Sequence, residues 1–126
     1  MWAETKMKFS EPKWDGAMFW QSKAIVEKDC RPIIVHLKPR FFSDPDRREY
    51  DFHIGIPEEL QGKGYCKDAI LSAAIQFSGR FGTLILSEGR IVNNKVTKAI
   101  KRLEKEDDPR IDINYDEKLG RWEIFG

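Results

Sequence analysis

The sequence predicts a mixed α/β layer fold, of the α+β kind, and three patterns predict it. Polar and apolar residues alternate from Glu49 to Ile56, the period of a half-buried strand. Two segments, Lys67–Phe81 and about Asn94–Glu106, carry apolar residues at helical spacing. Short β-branched runs surround them, so the order is strands, helix, strand, helix, hairpin.

Met1 to Gly16 is polar with scattered aromatics, and Pro12 argues against one continuous helix. It reads as an irregular arm with room for a short strand. Ala17–Glu27, carrying Met18, Phe19, Trp20, Ala24, Ile25 and Val26, reads as a strand. Lys28-Asp29-Cys30-Arg31-Pro32 is a turn, and Ile33–Leu37 is a second strand in hairpin with the first. Ser43-Asp44-Pro45-Asp46 signals another turn.

In the strand that follows, Tyr50, Phe52, Ile54 and Ile56 form the apolar face. Glu49, Asp51 and His53 form the polar one, and Pro57 ends the strand. Lys67–Phe81 is rich in Ala, Ile and Leu, and Gly79 and Gly82 mark its end. Thr83–Leu86 is a short buried strand. Asn93 or Asn94 can cap the next helix, whose apolar face is Val96, Ala99, Ile100 and Leu103. Asp107-Asp108-Pro109 breaks it, and Ile111–Tyr115 with Arg121–Phe125 forms a terminal hairpin.

A chain of 126 residues suits one domain, here residues 1–126 with 1–16 as the arm. Lys and Arg number 22 against 21 Asp and Glu, so net charge gives no global pull toward nucleic acid or membrane. No apolar run reaches the length of a membrane span. Two distant cysteines, Cys30 and Cys66, do not make a disulfide framework. The expectation is a cytoplasmic protein, monomer or homodimer, with reduced thiols and no metal.

The informative stretch is Gln61-Gly62-Lys63-Gly64-Tyr65-Cys66, between a strand and a helix. Glycines let backbone approach a bulky anion. The first helical turn offers N–H groups without intrahelical partners, and the helix dipole adds positive potential there. Lys63 can add a full charge. The sum is a phosphate site. A P-loop needs four residues between its first glycine and the Gly-Lys pair, whereas six separate Gly55 from Gly62. A dinucleotide fingerprint needs a third glycine where Lys67 stands.

Gln61-x-x-Gly64-x-Cys66 resembles the (Gln/Arg)-x-x-Gly-x-(Gly/Ala) signature of the GNAT-type N-acetyltransferase superfamily. Gly62-Lys63-Gly64-Tyr65 followed by Ala69-Ile70 is similar to its ribosomal-protein and alanine N-acetyltransferase branch. Asn94-Lys95-Val96-Thr97 resembles the segment that opens the helix after the fifth strand in that family. The resemblance covers Glu49 to about Leu103 and implies a mostly antiparallel, twisted sheet with helices on its faces. It also implies acetyl-CoA as cofactor and an amine acceptor, which a protein could supply. Backbone N–H groups of Gln61, Gly62, Lys63, Gly64, Tyr65 and Cys66 would hold the pyrophosphate. The strand through Ile54 and Ile56 would lie along the pantetheine arm, and Asn94 would contact its far end.

Attack of an amine on a thioester needs proximity, a proton route and a stabilised oxyanion. Asp51 and His53 lead the candidates for proton acceptor, with Glu88 after the next strand. Tyr115 or Ser87 would protonate the leaving thiolate. The tyrosine that often serves the family as general acid is Lys101 here, and the segment before Ala17 is short for the usual first strand and two helices. An inactive protein-binding module on the same fold, such as an inhibitor of a larger enzyme, is therefore an alternative.

Several residues have simpler readings. His53 suits a half-exposed strand residue and His36 a structural one. Cys66 could be a nucleophile at a helix N-terminus but lacks a nearby histidine in sequence, which favours a spacer. Lys98, Lys101, Arg102 and Lys105 suit a solvated helix face. Trp14, Phe19 and Trp20 suit core or groove lining. A second alternative reads Asn93–Gly126 as a winged helix, with Lys95, Lys98, Lys101 and Arg102 on DNA phosphates. It leaves the Gly62 turn unexplained.

Overall fold

The computed structural model describes residues 7–40, 48–87 and 94–125. Seven strands form one mixed sheet: β1 (Lys13–Trp14), β2 (Trp20–Ala24), β3 (Ile33–Pro39), β4 (Glu49–Gly55), β5 (Thr83–Ser87), β6 (Asp112–Asp116) and β7 (Arg121–Phe125). Their spatial order is β1-β2-β3-β4-β5-β7-β6, and only the β4–β5 pair is parallel. Helix α1 (Tyr65–Phe81) makes the β4–β5 crossover, and α2 (Asn94–Glu106) lies between β5 and β6. The mixed, mostly antiparallel sheet agrees with the class that the sequence predicts.

Sequence and structure differ most at the first long strand. Ala17–Glu27 shortens to Trp20–Ala24. The Asp15 carboxylate accepts hydrogen bonds from the backbone N–H groups of Ala17, Met18 and Phe19, at 2.8, 2.8 and 3.2 Å. Those donors are spent in a turn and cannot join a ladder. At the other end Ile25 is exposed. From Met7 onward the arm is irregular apart from β1, and it is tied down. Gln76 of α1 pairs with the Phe9 backbone like a strand neighbour, accepting at 3.1 Å and donating at 2.7 Å. Met7 and Phe9 are buried beneath it. The turn expected at Ser43–Asp46 lies outside the described residues.

Strand pairing settles which face carries the helices. Tyr50 of β4 meets Phe81 of α1, with ring centroids 5.3 Å apart. Tyr50 pairs with Leu84, Leu84 with Ile124, and Trp122 shares that face two residues away. Trp122 donates its indole N–H to Glu104 of α2 at 2.8 Å. Both helices therefore cover one face, where the sequence implied helices on the faces. Among the described residues, β1 and β2 are joined by the Asp15 turn rather than by helices. Ile70, Phe77, Ile100, Leu103, Trp122 and Ile124 form the centre of the core on the helical face. Full burial of a side chain this large contributes about 1.5–3 kcal/mol. The last hairpin is no free wing, because β7 sits inside the sheet between β5 and β6.

Electrostatic ties fasten the β2–β3 loop to the segment after β4. Arg31 donates to Glu59 through Nε and Nη2, at 3.1 and 2.8 Å, and holds the Glu59 carboxyl down to about 2. The shift has a sign. A carboxyl depressed in the folded state stabilises above its unfolded value of 4.5, and that contribution fades as pH falls toward 2. Arg31→Ala is expected to raise the Glu59 titration midpoint, followed by carbon-13 NMR, part of the way back toward the ordinary glutamate range, since the backbone hydrogen bonds to the carboxylate remain. A midpoint that does not rise contradicts the pairing.

Candidate functional site

The site is built by the chain between β4 and α1. Pro57 ends β4, and a 3₁₀ turn at Glu58–Leu60 leads into the glycines. Gln61 donates from Nε2 to the Ile56 carbonyl at 3.1 Å, closing the base of the turn. Gly62 and Gly64 have φ of +79° and +80°, the left-handed region that glycine enters without cost. A Cβ at either position would meet open space, so backbone conformation, not crowding, demands glycine here. Gly64 caps α1 without a side-chain hydrogen bond to the first turn. The N-terminal N–H groups of α1 are thus left to a ligand or solvent.

A cleft of about 460 Å³ opens at this turn. Ile54, Ile56 and Leu60 form its apolar floor, Gln61, Gly62, Gly64, Tyr65 and Cys66 one wall, and α2 the facing wall. Lys67, Lys95, Lys98 and Arg102 also line it, and no carboxylate does among the described residues. Lys98 and Arg102 are exposed, as a solvated helix face requires, and the face they share also lines the cleft. The stripe Lys95, Lys98 and Arg102 follows helical spacing beside Val96 and Ala99, a signal obscured by the other charges of α2.

Lys63 departs from expectation. Its ammonium bonds both Glu27 carboxylate oxygens, at 2.9 and 3.0 Å, and it does not line the cleft. Tyr65 donates its hydroxyl to the same carboxylate at 2.9 Å. Glu27 thus braces the turn from the β2–β3 loop, and the Lys63 and Tyr65 hydrogen bonds hold its carboxyl below the usual range. Cys66 is half-buried in the cleft wall, and burial pushes its thiol up against the opposing pull of Lys95. A protonated thiol suits the spacer reading and not a nucleophile.

The candidate catalytic groups divide between faces. Asp51 and His53 lie on the sheet face away from the helices, while Ile54 faces the cleft. Asp51 is buried and accepts from Arg40 Nη1 at 2.8 Å, so it is already ion-paired. His53 is exposed and stands opposite His36 on β3. His36 stacks on Phe19 with centroids 4.3 Å apart and shares a 3.2 Å hydrogen bond with Gln21. Burial lowers the His36 pKa, and the charge of His53 lowers it further. Tyr115 sits on the helical face, stacked on Trp122 at 4.8 Å, away from the cleft lining and from His53. Glu88 lies outside the described residues. Asn94 opens α2 immediately before Lys95.

One further feature joins the two faces. Pairing between β4 and β5 stops at Asp51–Ile85, although β4 runs on to Gly55 and β5 to Ser87. Beyond that point the two parallel strands share no further pairing, with Ile54 on the cleft side of β4 and His53 on the other. No group of three or more His, Cys, Asp or Glu able to hold a metal occurs among the described residues. No helix among them is long and apolar enough to cross a membrane.

Fold and site together define a mixed α+β domain with a cation-lined cleft at a strand-to-helix glycine turn. No protein-family model, no curated protein and no solved structure matches the chain.

Proposed function

We propose that the protein is an acetyltransferase of GNAT type that moves an acetyl group from acetyl-CoA to an amine. The observation that carries this is the coincidence of the glycine turn, the cleft and the end of pairing between β4 and β5. An acyl-CoA has an anionic head and a long, amide-bearing arm. The turn and the α1 N-terminus suit the pyrophosphate by backbone N–H groups and dipole. The released edge of β4 suits the amides of the arm, which can hydrogen-bond to it as an added strand would. Ile54, Ile56 and Leu60 give the arm an apolar bed.

The arm then leads along β4 past the end of that pairing, where the thioester meets the other sheet face. An amine entering from that face attacks the carbonyl carbon, and the C–S bond breaks with release of the CoA thiolate. His53, exposed on that face, accepts the amine proton in this reading. Asp51 is the weaker candidate because Arg40 already occupies it. Tyr115 points into the helical layer, which leaves Ser87, at the end of β5 on the face of His53, as the candidate to protonate the thiolate.

Thiol release from acetyl-CoA, measured with an amine-terminated peptide mixture, tests the reading. His53→Ala is expected to slow turnover by about a hundredfold, the usual worth of a positioned base. Its affinity for acetyl-CoA should not change. An unaltered rate removes His53 from the mechanism. Binding without any turnover favours the alternative of an inactive, protein-binding module on this fold. The occupied Asp51 and the helix-free β1–β2 connection speak for that second reading.

A further inference from the structure

The cation stripe on α2 exceeds what one pyrophosphate at the glycine turn requires. Lys95, Lys98 and Arg102 stand three and four residues apart, so they share one face of the helix. At 1.5 Å per residue the stripe extends roughly 10 Å along the cleft. The carboxylates of the same helix are engaged elsewhere. Glu104 accepts from the Trp122 indole at 2.8 Å, and Glu106 pairs with Lys67 at 2.7 Å. Lys98 and Arg102 make no ion pair among the described residues, and both are exposed at the cleft wall. Two cations held over a cleft with no acid among its described lining residues repel each other, and an anion between them relieves that repulsion.

We propose that Lys98 and Arg102 form a second phosphate subsite, which takes the 3′-phosphate of the adenosine and selects 3′-phosphorylated coenzyme A over its dephospho form. This rests on the acyl-CoA reading, because the pyrophosphate must occupy the turn for the ribose to present its other phosphate to α2. The roles of the two side chains differ. Arg102 offers a planar fork that can donate two parallel N–H bonds to phosphate oxygens. Lys98 adds a point charge one helical turn away. The division of labour is also physical. The turn binds through backbone N–H groups held by its left-handed glycines, whereas the α2 subsite depends wholly on two replaceable side chains. Since both cations are exposed, the selectivity should shrink as salt rises.

Isothermal titration calorimetry of the full chain with CoA and with 3′-dephospho-CoA, at low and at high salt, tests this. The wild-type protein is expected to bind CoA about tenfold or more tightly at low salt, the worth of one charge-assisted hydrogen bond. The Lys98→Ala/Arg102→Ala variant should bind CoA no better than the dephospho form, with little change for the latter. Both substitutions fall at exposed helix positions, where alanine supports the helix. Equal wild-type affinities overturn the subsite and leave the acyl-CoA reading standing. A preference that survives in the double variant overturns its assignment to these residues. Absence of binding by either ligand removes the subsite and the acyl-CoA reading together.

Discussion

Gly82→Ala is expected to destabilise the protein by about 3 kcal/mol or more, combining strain in a glycine-only region of backbone space with a collision. Gly82 ends α1 at φ +131° and ψ −150°. A Cβ there would collide with the Arg48 carbonyl oxygen and lie 2.8 Å from the Arg48 Cβ. Neither neighbour can yield cheaply. The Arg48 oxygen accepts from Thr83 N–H at 2.9 Å, the bond that starts the parallel pairing of β4 with β5. The Gly82 N–H is itself held by the Ser78 carbonyl at 2.9 Å. Relief would have to come from shifting α1 against the sheet, and α1 carries the buried Phe77 and Phe81. Thermal unfolding should show a fall in melting temperature of roughly 10 °C or more. Gly79→Ala is the internal control. Gly79 lies within α1 with nothing near its would-be Cβ, so alanine should add about 0.5–1 kcal/mol. Equal effects at the two positions would refute the steric argument.

The second large effect belongs to the turn. Gly62→Ala/Gly64→Ala is expected to weaken acetyl-CoA binding about a hundredfold or more, the loss of two hydrogen bonds to a charged group. Alanine at φ near +80° costs about 1–2 kcal/mol per residue, which the turn escapes by rearranging. The rearranged turn no longer aims its N–H groups at a common point. Since the space around both glycines is open, the core should be untouched and circular dichroism unchanged. Calorimetry checks the affinity. A variant that binds within about threefold of wild type, less than half the worth of a single such bond, removes the turn from the site.

The fold was legible wherever a period ran long enough. Glu49–Ile56 and Lys67–Phe81 were found within a residue or two, because one buried face imposes the period on the sequence. Trp20–Ala24 was overdrawn, because Ala17, Met18 and Phe19 look like strand residues while Asp15 takes their N–H groups. Apolar composition does not reveal such capture. Seven of the nine expected cofactor contacts, from Ile54 to Cys66 without Lys63, line the cleft, since they are contiguous in the chain and the turn carries them together. The Lys63 ammonium turns to Glu27, 36 residues away, and no local pattern announces that partner. Lys95, Lys98 and Arg102 were passed over for a related reason. A cation on an amphipathic helix looks alike in sequence whether it faces water or a cleft, and only the packing of α2 beside α1 decides. The separation of His53 from Tyr115, on opposite faces with β5 and β7 between their strands, required strand pairing, which residue types alone do not encode.

Titration of nitrogen-15-labelled protein with acetyl-CoA, read through its backbone amide shifts, tests the central claim most directly. Saturable shifts are expected at Gly62, Gly64, Tyr65 and Cys66 of the turn, with Ile54 on the floor and Lys98 and Ala99 on the facing wall. The amides of the far edge strand, Asp112–Asp116, should stay in place. Spectra that remain unchanged at millimolar acetyl-CoA, or shifts that leave the Gly62–Cys66 amides unmoved, would contradict it.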